Sequence, residues 1–206
     1  MKILIASDIH GSARHCQKLI RAFHNENADT LLLLGDILDG DREVAAMLNE
    51  LDLGAGLNQA QRQGQEQGQN QNNLILCVRG NCDYPSDQAL LAFPMLADYC
   101  LLFAGNKRIF AAHGNRAIPN LKSGDIYLHG HTHVPTWDFS KDYAELNPGS
   151  VSEPRRGSKH GYMTLEEGKE NKNSVIFLWK DLDGNIFHEI KIINYNKFFS
   201  KFFNSF

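Results

Sequence analysis

Long apolar runs are missing from this chain: nothing approaches the roughly 20 residues that a membrane-spanning helix needs. Clustered positive charge is missing as well. Lys and Arg total 21 against 24 Asp and Glu, a formal net charge of −3. Without a basic block, an extended nucleic-acid surface is not expected. Cysteine is scarce: Cys16, Cys77, Cys82 and Cys100 stand at no paired spacing. No disulfide framework follows from such cysteines, and reduced thiols in the cytoplasm are expected. Two catalytic signatures are also absent. There is no GxxxxGK[ST] loop to hold ATP phosphates and no GxSxG elbow for a serine nucleophile. The opening MKILIASDIHG has too short an apolar run for a signal peptide, and Asp8 and His10 interrupt it. It reads as a first strand.

What is present suits one ordinary globular domain spanning the 206 residues, 42% of them hydrophobic. KILIAS, TLLLLGD and NLILCVRGNCD are buried strands, with helices predicted between them. The first helix is expected from about Ser12, as N-cap, to Asn27, with Cys16, Leu19, Ile20 and Phe23 as its apolar stripe. The second is REVAAMLNEL. This alternation argues for parallel strands. The remainder is mostly β: a hairpin around Gly105-Asn106, then DIYLHGH, TWDFS and YAELN, then antiparallel strands from Gly161 with a turn at Asp183-Gly184. Two packed sheets with helices outside are predicted.

Between the second helix and third strand lies a Gln-rich stretch, about residues 53–73, with Gln at every second position from Gln59 to Gln71. Neither face of it is apolar, so a surface insertion without a packed role is expected. The tail from about 194 to 206 repeats KFF, and its rings are expected to dock on the body or on another subunit.

The polar residues fall at strand ends, where α/β sheets assemble ligand sites. Asp8 and His10 follow the first strand, Asp36 the second and Asn81 the third. His113 closes the hairpin, and LHGHTHVP supplies His131 and His133. Alternating histidines share one face of an extended strand. Carboxylates and imidazoles without thiolate pairs suit Mn, Fe, Co, Ni or Zn. These seven residues exceed the four that a structural zinc takes, and they suit two metals sharing a carboxylate. Two such ions hold a phosphoryl oxygen and generate hydroxide at neutral pH.

DIHG, GD, GNCD, HG and GHTH, in this order, resemble the calcineurin-like metallophosphoesterase family over residues 1 to about 165. Within it, GNCDYPSDQALLAFP and NPGSVSEPR look like a group of small bacterial phosphodiesterases. The resemblance implies a four-layer αββα sandwich, with two mixed sheets flanked by helices. It also implies a ligand set. Asp8, His10 and His133 would bind one divalent ion, Asn81, His113 and His131 a second, and Asp36 would bridge them. Manganese is the first expectation, with nickel, iron, cobalt and zinc also admitted. A hydroxide held between the metals would attack phosphorus, with no side-chain nucleophile. A small phosphodiester is the implied substrate, and self-association is expected from the resemblance and the Phe-rich tail.

The pattern departs from many relatives at two positions. Cys82 stands where they have a histidine that serves as acid or phosphate contact, and Asn115 stands where close relatives continue HGH. Both, with Asp83, are candidates for contact with substrate or with the ligands. His129 is expected to be structural. Arg14, Arg79 and Arg116 lie near ligands and are assigned no role. The same site would serve a phosphomonoesterase or a nucleotide hydrolase. The alternative of another class is a scaffold, like the retromer subunit with this fold.

Overall fold

A computed structural model describes residues 1–62, 75–96, 98–117, 120–168, 171, 173–194 and 197–202. The first half alternates as expected. β1 (Lys2–Ala6), β2 (Thr30–Leu33) and β3 (Ile75–Val78) are joined through α1 (Ala13–Asn25) and α2 (Arg42–Arg62), and run parallel. Two small elements were not apparent in the sequence: α3 (Pro85–Gln88) and β4 (Met95–Leu96), which pairs with β3. Next come β5 (Tyr99–Ala104), β6 (Lys107–Ala112), β7 (Ile126–Leu128), β8 (Thr136–Asp138) and β9 (Ala144–Asn147). The chain then adds β10 (Gly161–Glu167), β11 (Val175–Asp181), β12 (Ile186–Asn194) and β13 (Lys197–Phe202). One sheet has the order β13-β12-β11-β10-β1-β2-β3-β4; the other is β5-β6-β7-β9-β8.

Period-two alternation divides β1 between two cores. Leu4 and Ala6 face α1 and α2, joining Leu19, Phe23, Val44 and Leu48. Ile3 and Ile5 face the second sheet, joining Ile109, Ala111, Leu128 and Leu146. Each such Leu or Ile contributes about 1.5–3 kcal/mol by leaving water. The Trp179 indole N–H donates to the Asn147 carbonyl at 2.7 Å, tying β11 to the end of β9 across the sandwich.

The fold is therefore an α/β sandwich of two mixed sheets. The expected helical layer lies over the larger sheet. Over the smaller sheet no helix occurs among the described residues: β5–β6 and β8–β9 pair antiparallel, and the parallel β6–β7 and β7–β9 pairs are joined without a helix among the described residues. Helix α2 carries the backbone through Arg62, so the Gln-rich stretch begins helical, while its residues 63–73 lie outside the described residues. The Phe-rich tail continues as β13 along β12. Ser12 makes no side-chain cap; its hydroxyl instead meets His15 Nδ1 at 2.7 Å. No helix among the described residues is long and apolar enough to cross a membrane.

Candidate metal centre

The sequence-selected ligands converge. Asp8, His10 and His133 form one cluster and Asp36, His113 and His131 a second, the donor atoms of each lying within 4.8 Å of one another. Asp36 stands between the two: its Oδ2 lies 3.1 Å from His113 Nε2 and 3.8 Å from His10 Nε2. Asn81 Oδ1 lies 3.1 Å from His113 Nε2.

The way these residues are presented was not visible in the sequence. Asp8, His10, Asp36, His131 and His133 all adopt left-handed backbone, with φ between 46° and 64°. Such conformations are unusual for residues other than glycine, and they gather at functional sites where the surroundings hold them. His131 and His133 thus do not share the face of a strand, as their spacing suggested. Strand β7 stops at Leu128, and a turn of left-handed residues delivers both imidazoles. The surroundings supply the restraint. Ser150 and Ser152 hydroxyls donate to the Asp8 carbonyl at 2.8 and 3.1 Å. The His131 amide donates to Asp8 Oδ2 at 3.1 Å, and Asn147 Nδ2 to the Gly130 carbonyl at 2.8 Å.

Two glycines beside the carboxylates serve space rather than turn geometry. A Cβ on Gly80 would overlap Asp36 Oδ1, and one on Gly130 would overlap Ser7 Oγ and come within 2.8 Å of Asp8 Oδ2.

The imidazoles are oriented from behind. His113 Nδ1 donates to the Leu34 carbonyl and His133 Nδ1 to the Glu153 carbonyl, each at 2.7 Å. His10 Nδ1 donates to Asp39 Oδ2 at 3.0 Å. These bonds set the tautomers, leaving each Nε2 as a lone pair aimed inward. The consequence is a centre of acceptors facing acceptors. His133 Nε2 lies 3.2 Å from Asp8 Oδ1, a buried oxygen with no hydrogen-bond partner among the described residues. His133 Nε2 and His10 Nε2 are 3.4 Å apart. Facing lone pairs repel unless a cation lies among them, so the donor set fits divalent metal ions.

The carboxylates and imidazoles also shift one another: burial would lower His113, but Asp36 and Asp8 raise it, so that a metal ion at Nε2 would take the place of a proton. Burial would raise the Asp36 carboxyl, but the His113 imidazole, wherever it carries a second proton on Nε2, and the Cys82 amide hold it down to about 2. Burial raises Asp8, and its charge depends on a compensating cation. His131 is lowered by burial and by neighbouring His113, which keeps its imidazole available as a ligand.

Other sequence candidates separate. Cys82 gathers with His10 and Asp39, and Asn81 Nδ2 donates to its sulfur at 3.2 Å. Burial and the Asp36 charge push its thiol up to about 11. Asp83 lies behind the centre, accepting from the amides of Asp36, Ile37 and Gly80 at 2.7, 2.8 and 2.8 Å. Asn115 is exposed. His129 is buried, stacks on Tyr127 and lies 3.2 Å from Glu145, as a structural residue would. Arg116 pairs with Asp98 at the surface. Sequence reasoning missed Asp39, although GDILDGD carried a second acidic residue near the ligand.

Comparison with known proteins identifies the family. Residues 1–170 match the model of the calcineurin-like phosphoesterase superfamily domain. The chain is 34% identical over 172 residues to Phosphodiesterase YfcE of Escherichia coli strain K12, covering 81% of this chain and 88% of that one. The solved structure of Yfce, described as a phosphoesterase from E. coli, superposes with a TM-score of 0.74 at 28% identity, covering 94% of this chain and all of that one. Vps29 of Entamoeba histolytica, solved with zinc, shares the fold at a TM-score of 0.56 and 18% identity, over 98% and 97% of the two chains.

Proposed function

Since the chain belongs to the calcineurin-like phosphoesterase superfamily, we propose that this metal-dependent phosphoesterase is a phosphodiesterase working with two divalent cations. Asp8, His10 and His133 would hold one ion and Asn81, His113 and His131 the other, with Asp36 shared between them. Manganese is the first choice, and nickel, iron, cobalt and zinc suit the same donors. When bound, the ions supply the charge that polarises a phosphoryl oxygen and activates water.

The observation that carries this reading is the pair of acceptor clusters joined through Asp36. Asp36 stays ionised at any working pH, because its donors hold it at about 2. Asp39, Leu34 and Glu153 keep three imidazoles aimed inward. A diester is favoured over a monoester because the 34% identical relative bears the name phosphodiesterase. The protonated Cys82 thiol is a weak donor, which within the diesters suits those whose leaving group departs with little proton transfer. The intact ligand set speaks against a scaffold role. Free thiols at Cys16, Cys77, Cys82 and Cys100 support residence in the reducing cytoplasm.

The test strips the protein with chelator and restores Mn, Ni, Zn or Mg singly. Turnover of bis(p-nitrophenyl) phosphate is measured beside p-nitrophenyl phosphate. Metal-restored diester turnover, absent in Asp36→Asn, is expected. A monoester preferred under every metal would replace the diester reading.

A further inference from the structure

Two segments that adjoin the metal ligands carry cations that the ligand set does not use. Helix α1 begins three residues after His10, and its first turn bears Arg14 and His15. The segment whose Ser150 and Ser152 brace Asp8 continues through Arg155 and Arg156 before β10. The two segments touch. The rings of His15 and His160 stack with centroids 4.5 Å apart, and His160 Nδ1 donates to the Val151 carbonyl at 3.0 Å. The Arg155 amide donates to the carbonyl of His133 at 3.1 Å, so this rim is anchored on a metal ligand.

Arg14, Arg155 and Arg156 are exposed, and none forms an ion pair among the described residues. Of the acids nearby, Asp181 faces Lys159 at 3.4 Å and Asp183 faces Lys18 at 3.6 Å, while the exposed Glu153 of the same segment forms no ion pair with these arginines among the described residues. Arg156 also has left-handed backbone, with φ 54°, followed by Gly157 at φ 74°. The loop therefore holds an arginine in a conformation that side chains disfavour. Guanidinium matches phosphate oxygens in a two-pronged geometry, and imidazole N–H groups add further donors.

We infer that this rim binds a second, non-reacting phosphate, so that the substrates are phosphodiesters carrying a further phosphate on one substituent. The inference rests on the phosphodiesterase reading and narrows its substrate class. The reacting phosphate occupies the metal centre while Arg14, Arg155 and Arg156 hold the other.

The probes are the p-nitrophenyl 5′-phosphodiesters of thymidine with a 3′-phosphate or a free 3′-hydroxyl, with bis(p-nitrophenyl) phosphate as reference. The manganese-loaded enzyme should favour the 3′-phosphorylated ester in kcat/KM by about tenfold or more at low salt. The preference should shrink as salt is raised. In the Arg14→Gln, Arg155→Gln, Arg156→Gln triple variant the two nucleoside esters should be cleaved alike, with the reference diester unaffected. Should the triple variant lose the reference activity, Arg156→Gln alone must lower the preference. A wild-type enzyme without preference, or a preference that survives these substitutions, overturns the inference while the phosphodiesterase reading stands. Failure to cleave even the reference diester with any metal overturns both.

Discussion

Asp83 is one residue from Cys82 and two from Asn81, yet its carboxylate faces away from the centre. Oδ2 accepts from the Asp36 and Gly80 amides and Oδ1 from the Ile37 amide, all at 2.7–2.8 Å. It joins the loop after β2, which carries the shared ligand Asp36, to the loop after β3, which carries Asn81. A hydrogen bond to a charged acceptor is worth about 1.5–3 kcal/mol, and a buried donor left without a partner costs about 1–3 kcal/mol. In Asp83→Asn the amide oxygen can keep the Asp36 and Gly80 bonds, weakened by loss of charge, while its NH₂ opposes the Ile37 N–H. One bond lost and two weakened give about 3–4 kcal/mol. With a urea m-value near ~3 kcal/mol per M for a domain of this size, the midpoint falls by about 1 M. Asp83→Ala removes all three bonds and approaches the roughly 5–15 kcal/mol that stabilises a whole domain. Urea unfolding of the metal-free protein measures the stability. Calorimetric manganese titration of the folded Asn variant measures ligand geometry, and affinity should fall about ten- to hundredfold. A midpoint within about 0.2 M of wild type, the size of the fitting error, would refute this account of Asp83. So would full stability combined with lost turnover, which would make Asp83 a substrate contact.

Gly80→Ala should fold poorly or lose manganese affinity, because its Cβ must displace the Asp36 carboxylate; unchanged affinity by calorimetry would contradict the crowding. Asp39→Ala frees the His10 ring and should weaken metal binding by about tenfold or more, while Asp39→Asn, which keeps an oxygen for Nδ1, should recover part of it. Far from the centre, Glu26 accepts from Lys2, Lys180 and the Tyr162 hydroxyl at 2.6, 2.6 and 2.9 Å. Burial would raise its carboxyl, but these donors hold it below its ordinary value. A carboxyl lowered in the folded state stabilises above its unfolded pKa and loses that contribution as pH falls through the folded one. Glu26→Gln should therefore cost about 2–3 kcal/mol near neutrality, with the gap from wild type closing below about pH 4. A gap constant from pH 7 to 3 in urea unfolding would contradict the ion-pair account.

The ligands were legible because each is a hydrogen-bond-capable residue placed directly after an apolar run. Asp8 follows KILIAS, Asp36 follows TLLLLG, and His113 closes RIFAA. Topology then did the rest, since parallel strands bring those ends together. What the sequence concealed depends on the main chain. The carbonyls of Leu34 and Glu153 orient His113 and His133, and any residue type could have supplied them. The left-handed backbone of Asp8, His10, Asp36, His131 and His133 leaves no trace in composition, so HGHTH read as a strand. Gly80 and Gly130 looked like turn glycines, because nothing in sequence reveals a carboxylate lying where a Cβ would be. The helical continuation of α2 through Arg62 was hidden by a Gln-rich stretch with no apolar face to declare a period.

The central claim is that Asp36 joins two metal sites into one catalytic centre. Its most direct test is the manganese stoichiometry of the chelator-stripped chain, followed by calorimetry and by metal analysis after dialysis. Two ions per chain are predicted for the wild type, with the Asp36→Asn variant failing to retain both. A single ion per chain in the wild type, or two ions held equally well by Asp36→Asn, would contradict it.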